Sequence, residues 1–304
     1  MTTGLIDAQA EVGKMYKKMT IPNRENFREI YLSCVDDVLH YWTPQMQAEI
    51  SRHNSGWRAH DFGAYLRHSE VRYWVALKAL NHTCELRSLC DVGGFFGAFP
   101  LAMRRLGLDV AMTEALGYYS NSFSPLFSFL RSQGVEIIDR DPFEQESGID
   151  RRFDAVTAMA VIEHYPHSHK RFLNFMRSIA EPSGGRLFLE VPNIAYWPRR
   201  WALLRGQSPL SAIEDIFNSS VPFIGHHHEF TIDELRRLAS LVGLQVVHEE
   251  QFNYSFVGPW IKRLISDPLL TVMSLRSSMR ECLAVVLTST CESGQQDSAN
   301  IRSS

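Results

Sequence analysis

Residues 86–116 read LRSLCDVGGFFGAFPLAMRRLGLDVAMTEAL, and the fold prediction rests mainly on this segment. A short apolar run ends near Asp91, a glycine-rich turn and a helical pattern follow, and a second apolar run stops at Glu114. The glycines of the turn are Gly93, Gly94 and Gly97. The order strand, glycine loop, helix, strand predicts one βαβ unit, with ligand chemistry at the carboxyl ends of its strands.

The glycine turn suits a positively charged ligand better than a diphosphate. Glycines let a ligand approach the backbone, and the helix start offers free N–H groups. Nicotinamide-binding sites space these glycines as G-x-G-x-x-G, which this turn lacks, and Asp91 would repel a pyrophosphate. The carboxylate of Glu114 could accept both hydroxyls of a ribose. The combination indicates S-adenosylmethionine, which carries an ammonium and a sulfonium group.

Asp91 to Gly97, followed by Glu114, resembles the cofactor loop of the class I S-adenosylmethionine-dependent methyltransferases. The similarity covers roughly residues 84–288 and is typical of small-molecule and glycan-modifying members. It continues through RFDAVTAMAVIEHYPH (152–167), GGRLFLEVPN (184–193) and GHHHEFTIDELRRLASLVGLQVV (225–247). One departure is Phe95, which stands where members usually carry a third glycine. This departure implies that the methionine end of the cofactor is held differently, or that binding is impaired.

The resemblance implies an α/β fold. We expect a seven-stranded, mostly parallel, doubly wound (Rossmann-like) sheet with an antiparallel last strand. Residues 86–291 would form the S-adenosylmethionine-binding core, with substrate-side insertions at 194–230 and 254–280. Residues 1–85 would form an N-terminal helical lid or appendage. The polar tail 292–304 is expected to be disordered.

Composition excludes several classes of protein. With 304 residues, 45% of them hydrophobic, the chain can bury a substantial core. Its net charge of −3, with both signs mixed, gives no footprint for nucleic acid. No apolar run could span a bilayer, and residues 1–18 lack the pattern of a signal peptide. Five scattered cysteines indicate reduced thiols, so we expect a cytoplasmic protein without membrane or nucleic-acid partners.

The N-terminal region shows helical spacing over residues 24–39 and 65–80. An aromatic and polar stretch lies between these two segments. Its aromatics could wall a substrate pocket as a lid, or the region could be a packing appendage or a homodimer contact. Arg72 and Tyr65, just upstream of the first strand, could touch the carboxylate of the cofactor.

The cofactor site implied by the resemblance has further parts. Asp91, Gly93, Gly94 and Gly97 would hold the amino acid end, and Glu114 the ribose. After the third strand (135–138), Asp141 would accept the adenine amino group and Phe143 would pack on the ring. A turn-initiating aspartate before proline is the alternative for Asp141. Met159 and Ala160, at the end of the fourth strand (153–158), would line the cofactor.

Glu163 and His164 are the first titratable residues after the fourth strand. Residues at this strand end face the ligand in open α/β sheets. An ordinary histidine pKa near 6.5 suits His164 to accept a hydroxyl proton. The alternative is that His164 only shapes the pocket, while Glu163 is a candidate substrate contact.

Further acceptor contacts are expected at the carboxyl end of the fifth strand and in the long connection after it. Asn193 follows this strand (186–191), and Tyr196 opens a basic and aromatic excursion over 194–224. The excursion could hold an acidic or sugar-like acceptor, or it could be an amphipathic surface helix.

Three adjacent histidines, His226, His227 and His228, precede a capping box formed by Thr231 and Glu234. Successive side chains of an extended segment point to opposite sides, and no carboxylate or cysteine cluster accompanies them, so we predict no metal site. The resemblance implies that His226 and His228 face the acceptor, as substrate contacts or as the general base.

The sequence therefore predicts an S-adenosylmethionine-dependent methyltransferase of a small molecule, with a hydroxyl oxygen as acceptor and His164 or His226 as base. Transfer to nitrogen or carbon is an alternative. A non-catalytic methyltransferase-like binding protein and an NAD-dependent oxidoreductase are the alternatives from other classes.

Overall fold

The computed structural model describes residues 21–140 and 149–289. These residues form a seven-stranded sheet with the order β3-β2-β1-β4-β5-β7-β6. The strands are β1 (Ser88–Val92), β2 (Asp109–Glu114), β3 (Glu136–Asp139), β4 (Ala155–Met159), β5 (Arg186–Pro192), β6 (Leu244–Phe252) and β7 (Cys282–Ser289).

The sheet confirms the predicted fold class. β1 to β5 pair in parallel, and β7 pairs antiparallel with both β5 and β6. The chain order reverses between β1 and β4, which makes the crevice at their carboxyl ends the expected ligand position. The strands at this switch point are buried apolar runs, as parallel strands covered on both faces must be.

Twelve α-helices lie in the described part of the chain. They are α1 (Arg24–His40), α2 (Pro44–Ile50), α3 (Phe62–His68), α4 (Glu70–Thr83), α5 (Ala98–Arg105), α6 (Ser124–Ser132), α7 (His169–Ile179), α8 (Trp197–Leu204), α9 (Ile213–Phe217), α10 (Ile232–Leu241), α11 (Trp260–Ser266) and α12 (Pro268–Met273). The capping box that opens α10 is formed as predicted, because Thr231 and Glu234 exchange side-chain and backbone hydrogen bonds.

The helix expected over residues 65–80 is instead two helices, α3 and α4. They meet at Ser69, which is fully buried and whose hydroxyl donates to the carbonyl of Tyr65 at 2.9 Å. A serine that bonds back to the preceding turn bends a helix, and here it separates two. The break directs α4 toward β5 and β7.

The N-terminal helices share a hydrophobic core with one face of the sheet. Phe27 and Tyr31 of α1 belong to the same buried cluster as Leu101 of α5. Trp42, between α1 and α2, packs on Phe96 of the glycine loop with ring centroids 4.7 Å apart. Some N-terminal aromatic side chains therefore pack against the glycine loop. The predicted domain boundary between residues 85 and 86 stays a prediction.

The insertion at 194–230 contains α8 and α9 and is tied to the N-terminal helices. The backbone N–H of Ser220 donates to Arg52 at 3.1 Å, and that of Ile224 donates to His53 at 3.0 Å. α8 lies at the surface, with Trp201 47% exposed and Leu204 74% exposed, which favours the amphipathic interpretation of this segment.

Some predictions concern residues that the structure does not describe. Asp141, Phe143 and the tail 292–304 lie outside them. Within them, no helix is both long and apolar enough to cross a membrane. Cys34, Cys84, Cys90 and Cys282 are free thiols.

Candidate active site

The loop between β1 and α5 keeps its backbone bare next to β4 and β2. Gly93 has a φ of 71°, and a Cβ there would lie 2.9 Å from Cγ2 of Val161. A Cβ on Gly94 would lie 3.0 Å from Cβ of Met112. Gly97, with a φ of 73°, is the N-cap of α5. Side chains at these positions would fill the gap between the strand ends, so only glycine lets the loop pass this close.

Phe95 takes the left-handed conformation that glycine adopts easily. Its φ is 52°, which costs a residue with a Cβ about 1–2 kcal/mol. Its backbone N–H donates to the Glu114 carboxylate, and its ring contacts the rings of Phe96 and Phe62 at centroid distances of 4.2 and 6.0 Å. The hydrogen bond and the aromatic packing hold the loop in shape without the expected glycine.

Asp91, at the carboxyl side of β1, is buried and keeps one clear partner. Its Oδ1 accepts the hydroxyl of Thr157 on β4 at 2.6 Å. Burial raises the pKa of Asp91 to about 7, the Thr157 hydrogen bond opposes this rise, and the charge of Glu114 adds to it. A buried carboxyl group with this pKa gains from a cationic ligand, which would favour the ionised form.

Glu114 ends β2 and reaches back to the glycine loop. It accepts the N–H of Phe95 and, at Oε2, the hydroxyl of Tyr119 at 2.8 Å. Burial raises its pKa to about 7 against these two hydrogen bonds. Each carboxylate oxygen has a further acceptor direction, so a ribose could be bound alongside these partners or in place of Tyr119.

The turn after β4 comes next to the glycine loop. Ala160 has a φ of 53°, and its N–H donates to the carbonyl of Glu190 on β5 at 2.9 Å. Met159 is 9% exposed, and the following Val161 is the residue that approaches Gly93. The structure thus places the predicted cofactor contacts from β1, β2 and β4 around one crevice.

The segment after this turn brings Glu163 and His164 to His226. The ring centroids of the two histidines are 4.7 Å apart. The backbone carbonyl of Glu163 accepts the N–H groups of His227 at 2.7 Å and His228 at 3.3 Å. These backbone bonds hold the histidine run against the end of β4. We call Glu163, His164 and His226 the EHH group.

Burial controls the protonation of the EHH group. It raises the pKa of Glu163 to about 8, with Glu190 adding to the rise and Arg72 opposing it. It lowers the pKa of His164 to about 4, and that of His226 to about 3, to which the neighbouring ring of His164 contributes. Both imidazoles are therefore neutral at pH 7 and hold an unprotonated nitrogen.

Hydrogen bonds fix which nitrogen of each ring is free. Nδ1 of His226 lies 2.5 Å from Oε1 of Glu229, so the neutral ring donates there and leaves Nε2 as an acceptor. The His164 ring bonds the backbone of Gly225, while its buried Nδ1 has no partner among the described residues. A Cβ on Gly225 would lie 2.0 Å from the ring of Phe223, so the packing of the Phe223 ring on this backbone requires glycine.

The other two predicted acceptor contacts, Asn193 and Tyr196, follow β5 and are not part of the EHH group. The Asn193 amide donates to the carbonyls of Ser278 and Arg280, and its Oδ1 accepts the N–H of Ala195. An acceptor would have to compete with these three bonds, so the role of Asn193 as a substrate contact stays a prediction. Tyr196 is half-buried just before α8.

His228 is separate from the EHH group. Its side chain is exposed, and its Nε2 lies 3.3 Å from Oε1 of Glu234 at the start of α10. Its ring packs edge-on against Phe230, with centroids 4.7 Å apart. Of the predicted acceptor-facing histidines, only His226 therefore joins Glu163 and His164.

A buried ion pair beside the site was not predicted from the sequence. Nε of Arg72 on α4 lies 2.9 Å from Oε2 of Glu190 on β5, and both side chains are at most 3% exposed. Arg72 also donates to the hydroxyl of Tyr65 at 3.0 Å. The signal was the single carboxylate inside the apolar run LFLEV, because a charge in a buried strand requires a partner.

An open cleft of about 580 Å³ lies beside the end of β2. Its lining includes Glu49, His53 and Tyr118, and it does not include the EHH group. Glu49 accepts the N–H of Ser120 at 2.6 Å, which links α2 to the loop after β2. The cleft therefore adjoins the Glu114 side of the crevice.

A family model described as a methyltransferase domain matches residues 65–249. No curated protein matches the chain.

Three similar solved structures are distant from this chain in sequence. The glycopeptide N-methyltransferase MtfA in complex with sinefungin is 14% identical, with a TM-score of 0.47, over 72% of this chain and 86% of that chain. The mitomycin 7-O-methyltransferase MmcR is 15% identical, with a TM-score of 0.45, over 79% and 60%. An O-methyltransferase from neocarzinostatin biosynthesis is 14% identical, with a TM-score of 0.44, over 74% and 55%.

Proposed function

The chain belongs to the methyltransferase domain family, and from that premise we propose that it transfers the methyl group of S-adenosylmethionine to a hydroxyl oxygen of a small molecule. Family membership makes it an S-adenosylmethionine-dependent methyltransferase and sets aside the nicotinamide-dependent alternative. The acceptor, and the roles of individual residues, are the content of the proposal.

The crevice fits the cofactor by two criteria. The glycine cradle would be filled by a Cβ at Gly93 or Gly94. Asp91 and Glu114 are buried acids with raised pKa values, which a ligand with positive charge and hydroxyl groups would satisfy. Asp91 and the glycines would hold the ammonium end, Glu114 the ribose, and Met159 and Ala160 the wall toward the acceptor.

The single observation that carries the hydroxyl assignment is the EHH group beside that wall. Bound S-adenosylmethionine supplies an electrophilic methyl group on a sulfonium centre. A hydroxyl must lose its proton as its oxygen forms the new C–O bond, and a neutral histidine can accept that proton. Nε2 of His226 is the free acceptor. Because burial lowers the pKa of this ring to about 3, it can take the proton only as Glu229 at Nδ1 stabilises the imidazolium that forms.

The proposal assigns different work to the remaining candidates. Glu163 and His164 shape the acceptor position, since Glu163 anchors the histidine run through its backbone and His164 bonds Gly225. Tyr196 and His228, at the substrate-side surface, would contact outer parts of the acceptor. Transfer to nitrogen or carbon would need a weaker base or none, so the EHH group would then have little role as a base.

The test is a screen with S-adenosylmethionine labelled on the methyl group, using matched panels of hydroxyl and amine acceptors. We expect label in hydroxyl compounds. His226→Ala should lower kcat by roughly 10²–10⁴-fold with S-adenosylhomocysteine affinity unchanged. His227→Ala, on an exposed neighbour, is the control. Label found only in amines, or a fully active His226→Ala enzyme, would contradict the proposal.

A further inference from the structure

The EHH group has the composition and spacing of a metal centre. Each of its three residues offers one ligand atom, and these atoms all lie within 4.8 Å of one another. Ligand atoms of a four-coordinate zinc site are about 3.4 Å apart for bonds of about 2.1 Å. Small rotamer adjustments would therefore bring the three atoms onto one ion.

Two of the three ligands offer buried atoms with no partner on another residue. Both carboxylate oxygens of Glu163 and Nδ1 of His164 are buried, and within the described residues they form no hydrogen bond to any other residue. Glu163 is 0% exposed. A buried carboxyl group without a partner is costly, and such atoms in a native fold call for an explanation. A cation on Glu163 removes that cost.

The outer contacts are those of metal-binding histidines. Such a histidine usually donates its second ring nitrogen to a carboxylate or a backbone carbonyl, which orients the first nitrogen. His226 has Glu229 at Nδ1, and His164 bonds the backbone of Gly225 through the ring nitrogen other than Nδ1. Both rings are thereby fixed with one nitrogen directed away from these partners.

The surrounding charges leave room for a cation. Three buried carboxylates, Glu163, Glu190 and Glu229, face two arginines. Arg72 pairs with Glu190 and Arg199 pairs with Glu229, so neither guanidinium forms an ion pair with Glu163, although the charges of both lower its pKa. A divalent ion there would leave one positive charge, which an alkoxide from the acceptor would neutralise.

We infer that Glu163, His164 and His226 bind one divalent transition-metal ion of the zinc and manganese class. Two imidazole nitrogens and one carboxylate oxygen suit these ions, whereas Ca²⁺ and Mg²⁺ prefer all-oxygen sites. Three protein ligands leave an open position, which is the arrangement of catalytic rather than structural zinc sites.

The role of this ion rests on the proposed function, although its binding does not. An acceptor hydroxyl in the open position would lose its proton to water near neutral pH, because coordination stabilises the oxyanion. This oxygen would then form the bond to the methyl carbon, and the carbon–sulfur bond would break with its electron pair going to sulfur. With the ion bound, His226 would be a metal ligand and not the general base. The ion would then promote loss of the hydroxyl proton in its place.

The test uses the full chain after chelator treatment and gel filtration, with any affinity tag removed. Co²⁺ is titrated while its visible absorption is followed, and Zn²⁺ is titrated calorimetrically. We expect one equivalent of metal, with the intense d–d bands of a low-coordinate cobalt site. His226→Ala and Glu163→Gln should each weaken binding by at least 100-fold. Glu229→Gln, which removes only the outer contact, should weaken it by 10–100-fold.

His227→Ala is the matched control, because this exposed neighbour belongs to the same histidine run. Thermal unfolding and S-adenosylhomocysteine titration show whether each variant is folded. Absence of metal binding in a folded wild-type protein that binds S-adenosylhomocysteine would overturn the metal site and leave the methyltransferase function intact. Equal metal affinity in wild type, His226→Ala and Glu163→Gln would overturn it as well, since the ion would then sit on surface histidines.

Discussion

At the scale of single residues, the site is built from acids kept in an unfavourable environment. Asp91 and Glu114 are buried, and the pKa of each is raised to about 7. Burial of these two acids costs stability, and the binding of a cationic cofactor that we propose here would offset that cost. Such trade-offs between stability and function are common at ligand sites.

The first prediction concerns stability against pH. The unfolded chain releases these two protons near pH 4, whereas the folded chain holds them until about pH 7. Their contribution to stability is therefore complete below pH 4 and is lost as the pH rises through 7. Asp91→Asn removes this loss, so its Tm without cofactor should exceed that of wild type at pH 8 by several degrees.

The advantage of Asp91→Asn should shrink toward pH 5.5, where wild type also carries the proton on Asp91. Asp36→Asn, on an exposed carboxylate, is the control and should shift stability by less than about 0.5 kcal/mol. A Tm for Asp91→Asn below that of wild type at pH 8 would show that Asp91 is not held in a desolvated position.

Part of the candidate site could be predicted from the sequence alone. Asp91, Glu114 and the glycines could be placed because they are close in sequence and follow strands whose ends must meet. The EHH group could not, because Glu163 and His226 belong to segments far apart in the chain. The prediction of no metal site considered the three adjacent histidines and the lack of a carboxylate or cysteine cluster beside them in the sequence, and no spacing rule links these histidines to Glu163.

At the scale of elements, a buried ion pair joins α4 to β5. Arg72 and Glu190 form it, and the ring of Tyr254 lies 4.7 Å from the guanidinium carbon. Hydrophobic periodicity predicted α1, β3, β4 and β5 to within a few residues. It did not predict the break at Ser69, since a buried serine that bonds backward gives no periodic signal.

The second prediction tests this pair. Arg72→Met leaves Glu190 buried without its partner, and we expect a loss of about 3–5 kcal/mol in the free energy of unfolding. The double variant Arg72→Met with Glu190→Met should recover most of this loss, because two apolar side chains replace two charges. Urea unfolding measures both variants.

Arg67→Met is the control for the ion pair, since Arg67 bonds Asp36 at the surface and contributes about 0–1 kcal/mol. If Arg72→Met were no less stable than Arg67→Met, the pair would have to be solvated in solution.

At the scale of the whole molecule, the N-terminal helices and the sheet bury their apolar faces together. One cluster joins Phe27 and Tyr31 of α1 to Leu89 of β1 and Val110 of β2. Sequence composition could separate a helical region from an α/β region. It could not show that the two share a core, because that depends on packing between distant segments. Dimerisation through the N-terminal helices stays a prediction.

The third prediction follows from this shared core. Wild type should unfold in a single cooperative transition, with coincident calorimetric and circular dichroism curves. A chain that begins at residue 86 would expose the apolar surface of α5 and should not unfold cooperatively. Two separate transitions in wild type, or a stably folded truncated chain, would indicate an independent N-terminal domain.

We propose that this S-adenosylmethionine-dependent methyltransferase binds its cofactor between the ends of β1 and β2, with Asp91 and Glu114 as the acidic contacts. The most direct measurement is calorimetric titration of wild type, Asp91→Asn, Glu114→Gln and Asp36→Asn with S-adenosylmethionine at pH 8. We predict one equivalent bound by wild type and an unchanged affinity for Asp36→Asn. Each of the other two variants should bind at least tenfold more weakly, a loss of about 1.4 kcal/mol. Equal affinity in all four folded proteins would contradict the account.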